Sequence, residues 1–366
     1  MRATAILREW AATVPSTLPG HSDGLTTALA LFSLACCLAR SCWGTGASLH
    51  ACSGVKPASR RRRWERLLAD DGFDPHQSQD RLAAALLAAP ASGPARLILD
   101  ETSIGNDRLR CMMVSLVWRK RALPLAWRCY PHPAPEGSPT LPEVVTGLLN
   151  RVAAAMPEGR EAFLLTDRGL SWPDTIRLAR GHGWKVVARL QGQTRARPIG
   201  GEGSRADELI TRGGRARSVE ADVFKDAGWL RGWAVACWPQ QCDEPWLLFS
   251  DEPDAAPAPR QYAGRMRIEE QSRDLKSHGL DWQKSRLRRP ERMERLLVLL
   301  ALALLAMAAS GVRLIKLGRR GDLTPVRRLV WSQVRLGLCW LTTWLTQDLP
   351  PRMPPPRLHT LFLDFR

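Results

Sequence analysis

The sequence lacks the residue patterns of a zinc or disulfide scaffold. Its nine cysteines form no CxxC pair, and no set of cysteines and histidines has the spacing of a zinc site. This excludes the common zinc-binding modules and leaves reduced cytosolic thiols as the expectation. Tyrosine is also scarce, at two residues against 15 tryptophans, but this ratio assigns no function by itself.

Acidic residues are in deficit. The chain of 366 residues has 36 Asp and Glu against 53 Lys and Arg, which gives a net charge of +17 and a pI near 10.4. Such a balance indicates a polyanionic partner, for which nucleic acid is the first candidate and an anionic membrane surface the second. The length allows one large domain with an insertion, or roughly two to three smaller domains.

Apolar runs long enough to cross a membrane are scarce. The run at 25–39 is too short, and the segment before it lacks the basic start of a signal peptide because it contains Glu9, two prolines and Asp23. The run at 296–312 reaches the lower edge of transmembrane length. Its alanine content and its place directly after a charged helix favour a buried core helix. No membrane association is therefore predicted, and a protein anchored by 296–312 is the alternative.

The chain divides into a helical start and an alternating middle. Residues 1–92 are predicted to form a helical, basic region that is a candidate for DNA binding, with four consecutive arginines at 60–63 as a candidate phosphate contact. After residue 93 the periodicity predicts the order β-β-β-α-β-α-β. Three sequential strands followed by alternating helices and strands are typical of the ribonuclease-H-like fold, so the predicted class is α/β. The predicted strands are 96–100, 111–118, 122–130, 163–167 and 184–190, and the helices are 141–156 and 173–181.

The remaining segments are assigned around this core. The catalytic core is predicted over 93–190 and 255–320, interrupted by a β-rich insertion at 191–254 that contains short strands rich in tryptophan. Residues 321–366 are predicted to be a basic, proline-rich C-terminal region. Its segment PPRMPPPR at 350–357 is expected to lack regular structure.

One charged stretch, YAGRMRIEEQSRDLKSHG at 262–279, is predicted to be about five turns of helix. At about 100° per residue, four polar side chains project within an arc of roughly 60°, while Ile268 and Leu275 lie about a quarter turn away and could dock the helix. The alternative is a solvated surface helix with ion pairs between residues four apart. The four polar residues are Tyr262, Arg265, Glu269 and Lys276.

Three acids are candidates for one site. Asp100 and Asp167 each end an apolar strand, the position where open α/β sheets place ligand-binding groups, although Asp167 could equally cap a turn. Glu269 would come from a helix packed beside the sheet. Converging carboxylates repel one another unless cations hold them, and their hard oxygens suit two Mg²⁺ or Mn²⁺ ions. A two-metal site of this kind performs in-line displacement at phosphorus.

The charged stretch fits Y-x2-R-x3-E-x6-K in full, at Tyr262, Arg265, Glu269 and Lys276, and this resembles the signature of the IS4-type DDE transposases. Other features agree with the resemblance over about residues 95–312. They are LDETS at the first acid, TDRG at the second, a β-rich insertion before the glutamate, and the apolar MERLLVLLALAL after it.

The resemblance implies a role for each matching residue. Asp100, Asp167 and Glu269 would bind the catalytic divalent ions, while Tyr262, Arg265 and Lys276 would contact the transposon-end DNA near the cut. A tryptophan of the insertion stacks on a flipped base in such enzymes, and Trp246 stands in the matching place. A strand tryptophan in so rich a background is equally expected to be a core residue.

The resemblance also implies the activity and the partners. The expected protein is a DNA transposase that cleaves and joins double-stranded DNA at its element's ends and at a target. It would act as a homodimer in a synaptic complex, in the bacterial cytoplasm at the nucleoid. The alternative is a catalytically inactive or domesticated transposase-derived protein that binds DNA without chemistry.

Overall fold

The fold was analysed on a computed structural model. It describes residues 3–51, 54–90, 93–209, 216–239, 242–253, 257–276, 279–323 and 331–346. The predicted irregular segment 350–357 lies outside the described residues.

A single ten-stranded sheet organises the described chain, in the order β3-β2-β1-β4-β5-β10-β9-β8-β6-β7. The first three strands are antiparallel, β1, β4 and β5 run parallel, and β10 returns antiparallel beside β5. The strands are β1 (Ala95–Ile104), β2 (Leu109–Trp118), β3 (Arg121–Pro131), β4 (Ala162–Thr166), β5 (Lys185–Arg189), β6 (Arg195–Pro198), β7 (Ser204–Arg205), β8 (Arg217–Val223), β9 (Leu230–Cys237) and β10 (Trp246–Ser250).

Eleven helices accompany the sheet in the described ranges. Several begin at sequence signals: a proline stands first in the helices after residues 56 and 74 and second in the helix after residue 140, where Thr140 with Glu143 also forms a capping box. The helices are α1 (Ala3–Thr17), α2 (Asp23–Ala39), α3 (Gly44–His50), α4 (Pro57–Ala69), α5 (Pro75–Leu87), α6 (Leu141–Ala154), α7 (Pro173–Gly181), α8 (Pro257–Tyr262), α9 (Arg267–Leu275), α10 (Pro290–Lys316) and α11 (Gln333–Thr346).

The predicted order β-β-β-α-β-α-β is confirmed for β1 to β5 with α6 and α7, so the chain is a mixed α/β protein. The tight β2–β3 hairpin turns at Arg119 and Lys120, as the basic turn predicted, with Arg119 at a φ of 52°. The region predicted as an insertion is β-rich. Its strands β6 to β10 do not form a sheet of their own, because β10 pairs with β5 and extends the central sheet.

Side chains alternate along the central strands and build a core on each face of the sheet. On β1, Leu97 and Leu99 belong to a large cluster that includes α10, whereas Ile98 belongs to a second cluster with Tyr262 and Ile268. The second face is therefore the one that α8 and α9 cover.

The N-terminal helices share the larger core with the sheet. Trp10 of α1 and Trp64 of α4 lie in the same buried cluster as Leu97 of β1 and Leu300 of α10. The buried Arg295 of α10 reinforces this junction, since its guanidinium donates to the carbonyl oxygens of Leu68 (3.1 Å) and Phe73 (3.0 Å). Residues of the helical region are thus tied directly to the longest core helix.

The apolar run 296–312 lies in α10. By length and composition α10 could cross a membrane, as could the bent pair of α2 and α3 taken as one span. Within α10, 89% of the residues in the most apolar window are buried inside the protein. The prediction of a core helix is confirmed.

The stretch 262–279 is not one continuous helix. Its Tyr262 ends α8, a 3-10 turn spans Ala263–Met266, α9 covers Arg267–Leu275, and Lys276 follows the end of α9. Gly264 is buried in the turn and lowers helix propensity there by about 1 kcal/mol. The docking flank was correctly predicted, because Ile268 and Leu275 are both buried.

The predicted C-terminal region contains a helix that the sequence did not reveal. Helix α11 packs so closely on α10 that backbones touch at two glycines. A β-carbon at Gly337 would lie 1.7 Å from the carbonyl oxygen of Met307, and one at Gly311 would lie 1.8 Å from that of Gln333. Only glycine permits this approach.

We expect Gly337→Ala to lower the free energy of unfolding by about 1–3 kcal/mol, because the added methyl group must push two helices apart. Gly147→Ala in α6 is the matched control, since Gly147 is exposed and a β-carbon there meets nothing within 4 Å. The control should be neutral or stabilising by up to ~1 kcal/mol. Chemical denaturation of both variants measures the difference, and equal stabilities would contradict the close helix packing.

Candidate active site

Strand register brings Asp100 and Asp167 to the same edge of the sheet. Leu99 of β1 pairs with Thr166 of β4 in parallel register, and the residue after each is one of the two acids. Asp167 follows the end of β4 as predicted, but Asp100 does not end its strand, because pairing with β2 continues β1 to Ile104. By alternation Asp100 shares the face of Ile98, and Asp167 follows β4 in phase with Leu165 of the same cluster. Both acids therefore lie on the face that α8 and α9 cover.

Arg265 joins the two aspartates and Glu269. Its Nη2 donates to Asp100 Oδ1 at 2.7 Å and to Asp167 Oδ2 at 3.1 Å. Its Nη1 lies 3.6 Å from Glu269 Oε1. The i,i+4 ion pair of the surface-helix interpretation is therefore present, but the same guanidinium also reaches two acids on the sheet, 165 and 98 residues away along the chain.

Burial shapes the electrostatics of this cluster. The side chains of Asp100 and Arg265 are each 15% exposed, against 35% for Asp167 and 50% for Glu269. Burial raises the pKa of Asp100 to about 6, although Arg265 pulls it down and Asp167 adds to the rise. For Arg265, burial acts to lower the pKa, but the charges of Asp100 and the other acids outweigh it, so that pKa is raised and the guanidinium stays cationic.

Asp167 serves both the turn and the cluster. Its Oδ1 accepts from the backbone N–H groups of Gly169 (3.0 Å) and Leu170 (3.2 Å), which is the turn-capping role expected for an aspartate before Arg-Gly. Its other oxygen, Oδ2, faces Arg265. The two interpretations of Asp167 are compatible, because each carboxylate oxygen has a separate task.

Helix α9 holds Glu269 over the sheet edge by anchors on both sides of it. Ile268 and Leu275 are buried, and Arg121 of β3 pairs with Glu270 and Asp274, each at 2.9 Å. These contacts fix the position of α9, whose first turn carries Glu269.

Tyr262 and Trp246 face each other beside the acids. Their rings meet edge to face with centroids 5.2 Å apart, and Tyr262 is only 1% exposed while Trp246 is partly buried. Burial is the main reason that the pKa of Tyr262 is raised. In this arrangement both aromatics belong to the smaller core cluster, and Trp246 offers only the remainder of its surface to a ligand.

Lys276, the last residue of the motif, contacts β1 two residues after Asp100. Its Nζ donates to Thr102 Oγ1 at 2.6 Å and lies 6.0 Å from the centre of the Trp282 ring. Burial lowers the pKa of Lys276, while the charge of Asp100 acts to raise it. Two motif residues thus contact β1 directly, Arg265 at Asp100 and Lys276 at Thr102.

The donor set has the chemistry that a hard divalent cation requires. Three carboxylates already share one positive group, and oxygen is the ligand atom that Mg²⁺ and Mn²⁺ prefer. Within the described ranges, no three His, Cys, Asp or Glu side chains are close enough to form a metal-binding group as they stand. The acids therefore fit a metal ion only if they approach one another around it in place of Arg265.

Sequence reasoning missed two polar residues at this edge. Thr102, the partner of Lys276, lies two residues after Asp100, so strand alternation could have identified it. Gln283 binds the end of β1 by accepting from Gly105 N (2.7 Å) and donating to Ser103 O (3.0 Å). No sequence pattern marks Gln283, because the contact joins segments 178 residues apart.

A basic segment, residues 284–289, follows Gln283 and was also missed. Its cations Lys284, Arg286, Arg288 and Arg289 are all exposed. Their density in KSRLRR was the available signal. Gln283 fixes the start of this basic segment beside the strand that carries Asp100.

Comparisons with known proteins place the chain in a family. The profile of the family described as Transposase DDE domain matches residues 91–306, which is more than half of the chain. A comparison with curated proteins finds no match. The matched range contains all three acids, Arg265 and Lys276. The chain belongs to the family of transposases with a DDE domain.

Proposed function

We propose that this protein is an IS4-type transposase that cleaves and joins DNA at the ends of its own element through Asp100, Asp167 and Glu269. The observation that carries the proposal is the meeting of these distant acids around Arg265, at 2.7, 3.1 and 3.6 Å. The strand order β3-β2-β1-β4-β5, with β1, β4 and β5 parallel, supports a ribonuclease-H-like core for this chemistry.

Asp100, Asp167 and Glu269 would hold two Mg²⁺ or Mn²⁺ ions. When bound, such ions supply an activated water or terminal hydroxyl and stabilise the leaving oxygen in displacement at phosphorus. The chain's own contribution is geometric: the β1–β4 register aligns the two aspartates, and the anchored α9 presents the glutamate from above. The half-exposed Glu269 leaves the site open toward solvent, where a DNA strand could enter.

Charge around the acids supports DNA as the partner. The net charge of +17 and the exposed cations of the basic segment 284–289 provide phosphate contacts beside the end of β1. Lys276 would hold a phosphate close to Asp100, and Tyr262 with Trp246 would also contact the DNA strand. The protein would act on transposon ends and target DNA as a homodimer, in the bacterial cytoplasm.

Neutralising any one acid should abolish DNA cleavage. For Asp100→Asn, Asp167→Asn and Glu269→Gln we expect a loss greater than the roughly 100-fold that removal of a supporting residue costs, because each removes a metal ligand. Binding of the DNA should change little. Cleavage of a duplex carrying the repeats that flank the gene, in Mg²⁺, measures the first effect, and a gel-shift measures the second.

Glu270→Gln is the matched control for these variants. It removes the neighbouring carboxylate of α9, which pairs with Arg121 and Arg273 and not with Arg265. Cleavage should persist in this control, because Arg121 still holds α9 through Asp274. Cleavage that survives in one of the three acid variants would reject that residue, and binding without cleavage by the unaltered protein would favour the inactive, domesticated alternative.

Lys276→Ala should weaken DNA binding and flatten its dependence on salt. Loss of one phosphate contact is expected to reduce the slope of log K against log salt by about 0.9. Thr102→Val is the control, because it removes the hydrogen-bond partner of Lys276 and leaves the charge in place. Binding titrations over a series of salt concentrations test this, and an unchanged slope in Lys276→Ala would exclude the phosphate contact.

A further inference from the structure

Arg265 occupies the centre of the acid cluster. Its side chain is 15% exposed, and its Nε is buried with no hydrogen-bond partner among the described residues. Among the described residues, its ion pairs are with Asp100, Asp167 and Glu269. Arg265 is much less exposed than the partners of an ordinary surface ion pair. Its guanidinium therefore interacts mainly with the three acids.

This guanidinium is the main source of charge compensation for the three acids. Lys276 also acts on Asp100, but more weakly, and its Nζ donates to the hydroxyl of Thr102 and not to a carboxylate. Without Arg265, up to three negative charges would share a partly desolvated site, which is a strongly unfavourable arrangement. Arg265 therefore allows the carboxylates to converge.

The same atoms that would ligate a cation are the ones that Arg265 engages. Its Nη2 bonds one oxygen from each aspartate, Asp100 Oδ1 and Asp167 Oδ2. The remaining Asp167 oxygen accepts backbone N–H groups in the turn. A divalent ion bound between the two aspartates would therefore have to replace the Nη2 hydrogen bonds.

We propose that Arg265 is a positioning residue that holds the three carboxylates together before divalent ions bind, and that it withdraws from them when the ions enter. This inference rests on the proposed function, since it assumes that the acids bind metal. The withdrawn guanidinium is then free for a DNA phosphate, whose paired oxygens match its planar donors. Metal binding and DNA contact would thus be coupled through one side chain.

Mn²⁺ binding, measured without any catalytic reaction, tests this proposal. Full-length protein is titrated with Mn²⁺ alone, and binding is followed by the rise in Tm and by the loss of the free Mn²⁺ EPR signal. In Arg265→Gln we expect a lower Tm in EDTA and an apparent Kd for Mn²⁺ that is smaller by about tenfold or more, because a competing unit charge is removed. Arg265→Lys, which keeps the charge but has one nitrogen, should fall between the two and remains informative if the glutamine variant does not fold.

Arg295→Gln is the matched control. Arg295 is as enclosed as Arg265, at 8% exposure, but it bonds Leu68 and Phe73 and not the three acids or α9. Its loss should lower the Tm in EDTA and leave the Kd for Mn²⁺ unchanged. A change in affinity caused by destabilisation alone would appear in this control as well.

Asp100→Asn separates failure of this inference from failure of the proposed function. If Mn²⁺ stabilises the unaltered protein and not Asp100→Asn, while Arg265→Gln binds Mn²⁺ equally or more weakly, the displacement of Arg265 is wrong and the metal site stands. Two results would reject both the proposed metal site and the role of Arg265. The first is that neither the unaltered protein nor Arg265→Gln binds Mn²⁺, and the second is that Asp100→Asn binds Mn²⁺ as tightly as both of them.

Discussion

The site depends on the contacts of one guanidinium, which hydrogen-bonds carboxylates from β1 and the turn after β4 and forms an ion pair with a carboxylate of α9. The three acids, Asp100, Asp167 and Glu269, are far apart in the sequence. Their like charges repel one another unless a cation lies among them. The sheet and α9 bring the three carboxylates close together, and Arg265 supplies the positive charge that offsets their repulsion. The site is therefore as much a property of electrostatic balance as of backbone geometry.

Much of this arrangement could be predicted from the sequence, because local patterns encode it. The apolar runs before Asp100 and Asp167 identified strands β1 and β4, although β1 continues beyond Asp100, and the spacing of the Y-x2-R-x3-E-x6-K motif singled out Glu269. The confirmed burial of Ile268 and Leu275 shows that periodicity located the docking flank of α9. These features depend on neighbours within a few residues, which is the range at which sequence patterns are informative.

Other features escaped because they depend on contacts between distant segments. The predicted helix is interrupted at 263–266 by a turn that buries Gly264. The charge pattern of the sequence continues regularly through this turn, so it did not reveal the interruption. The resemblance assigned Arg265 to DNA, whereas in the structure it faces the acids, a contact that only the assembled sheet creates. Helix α11 was hidden within a basic, proline-rich composition, and its fit depends on Gly311 and Gly337 lying opposite bare backbone.

The shared core of the N-terminal helices and α10 has a consequence for how a duplex would be handled. Arg295 joins Leu68 of α4 and Phe73 to the helix that packs under the central sheet, so the two regions share one core. If the N-terminal helices bind a duplex, their distance from the acids would determine which phosphate reaches the acids. Half a helical turn, ~5 base pairs, would rotate that phosphate to the far side of the duplex.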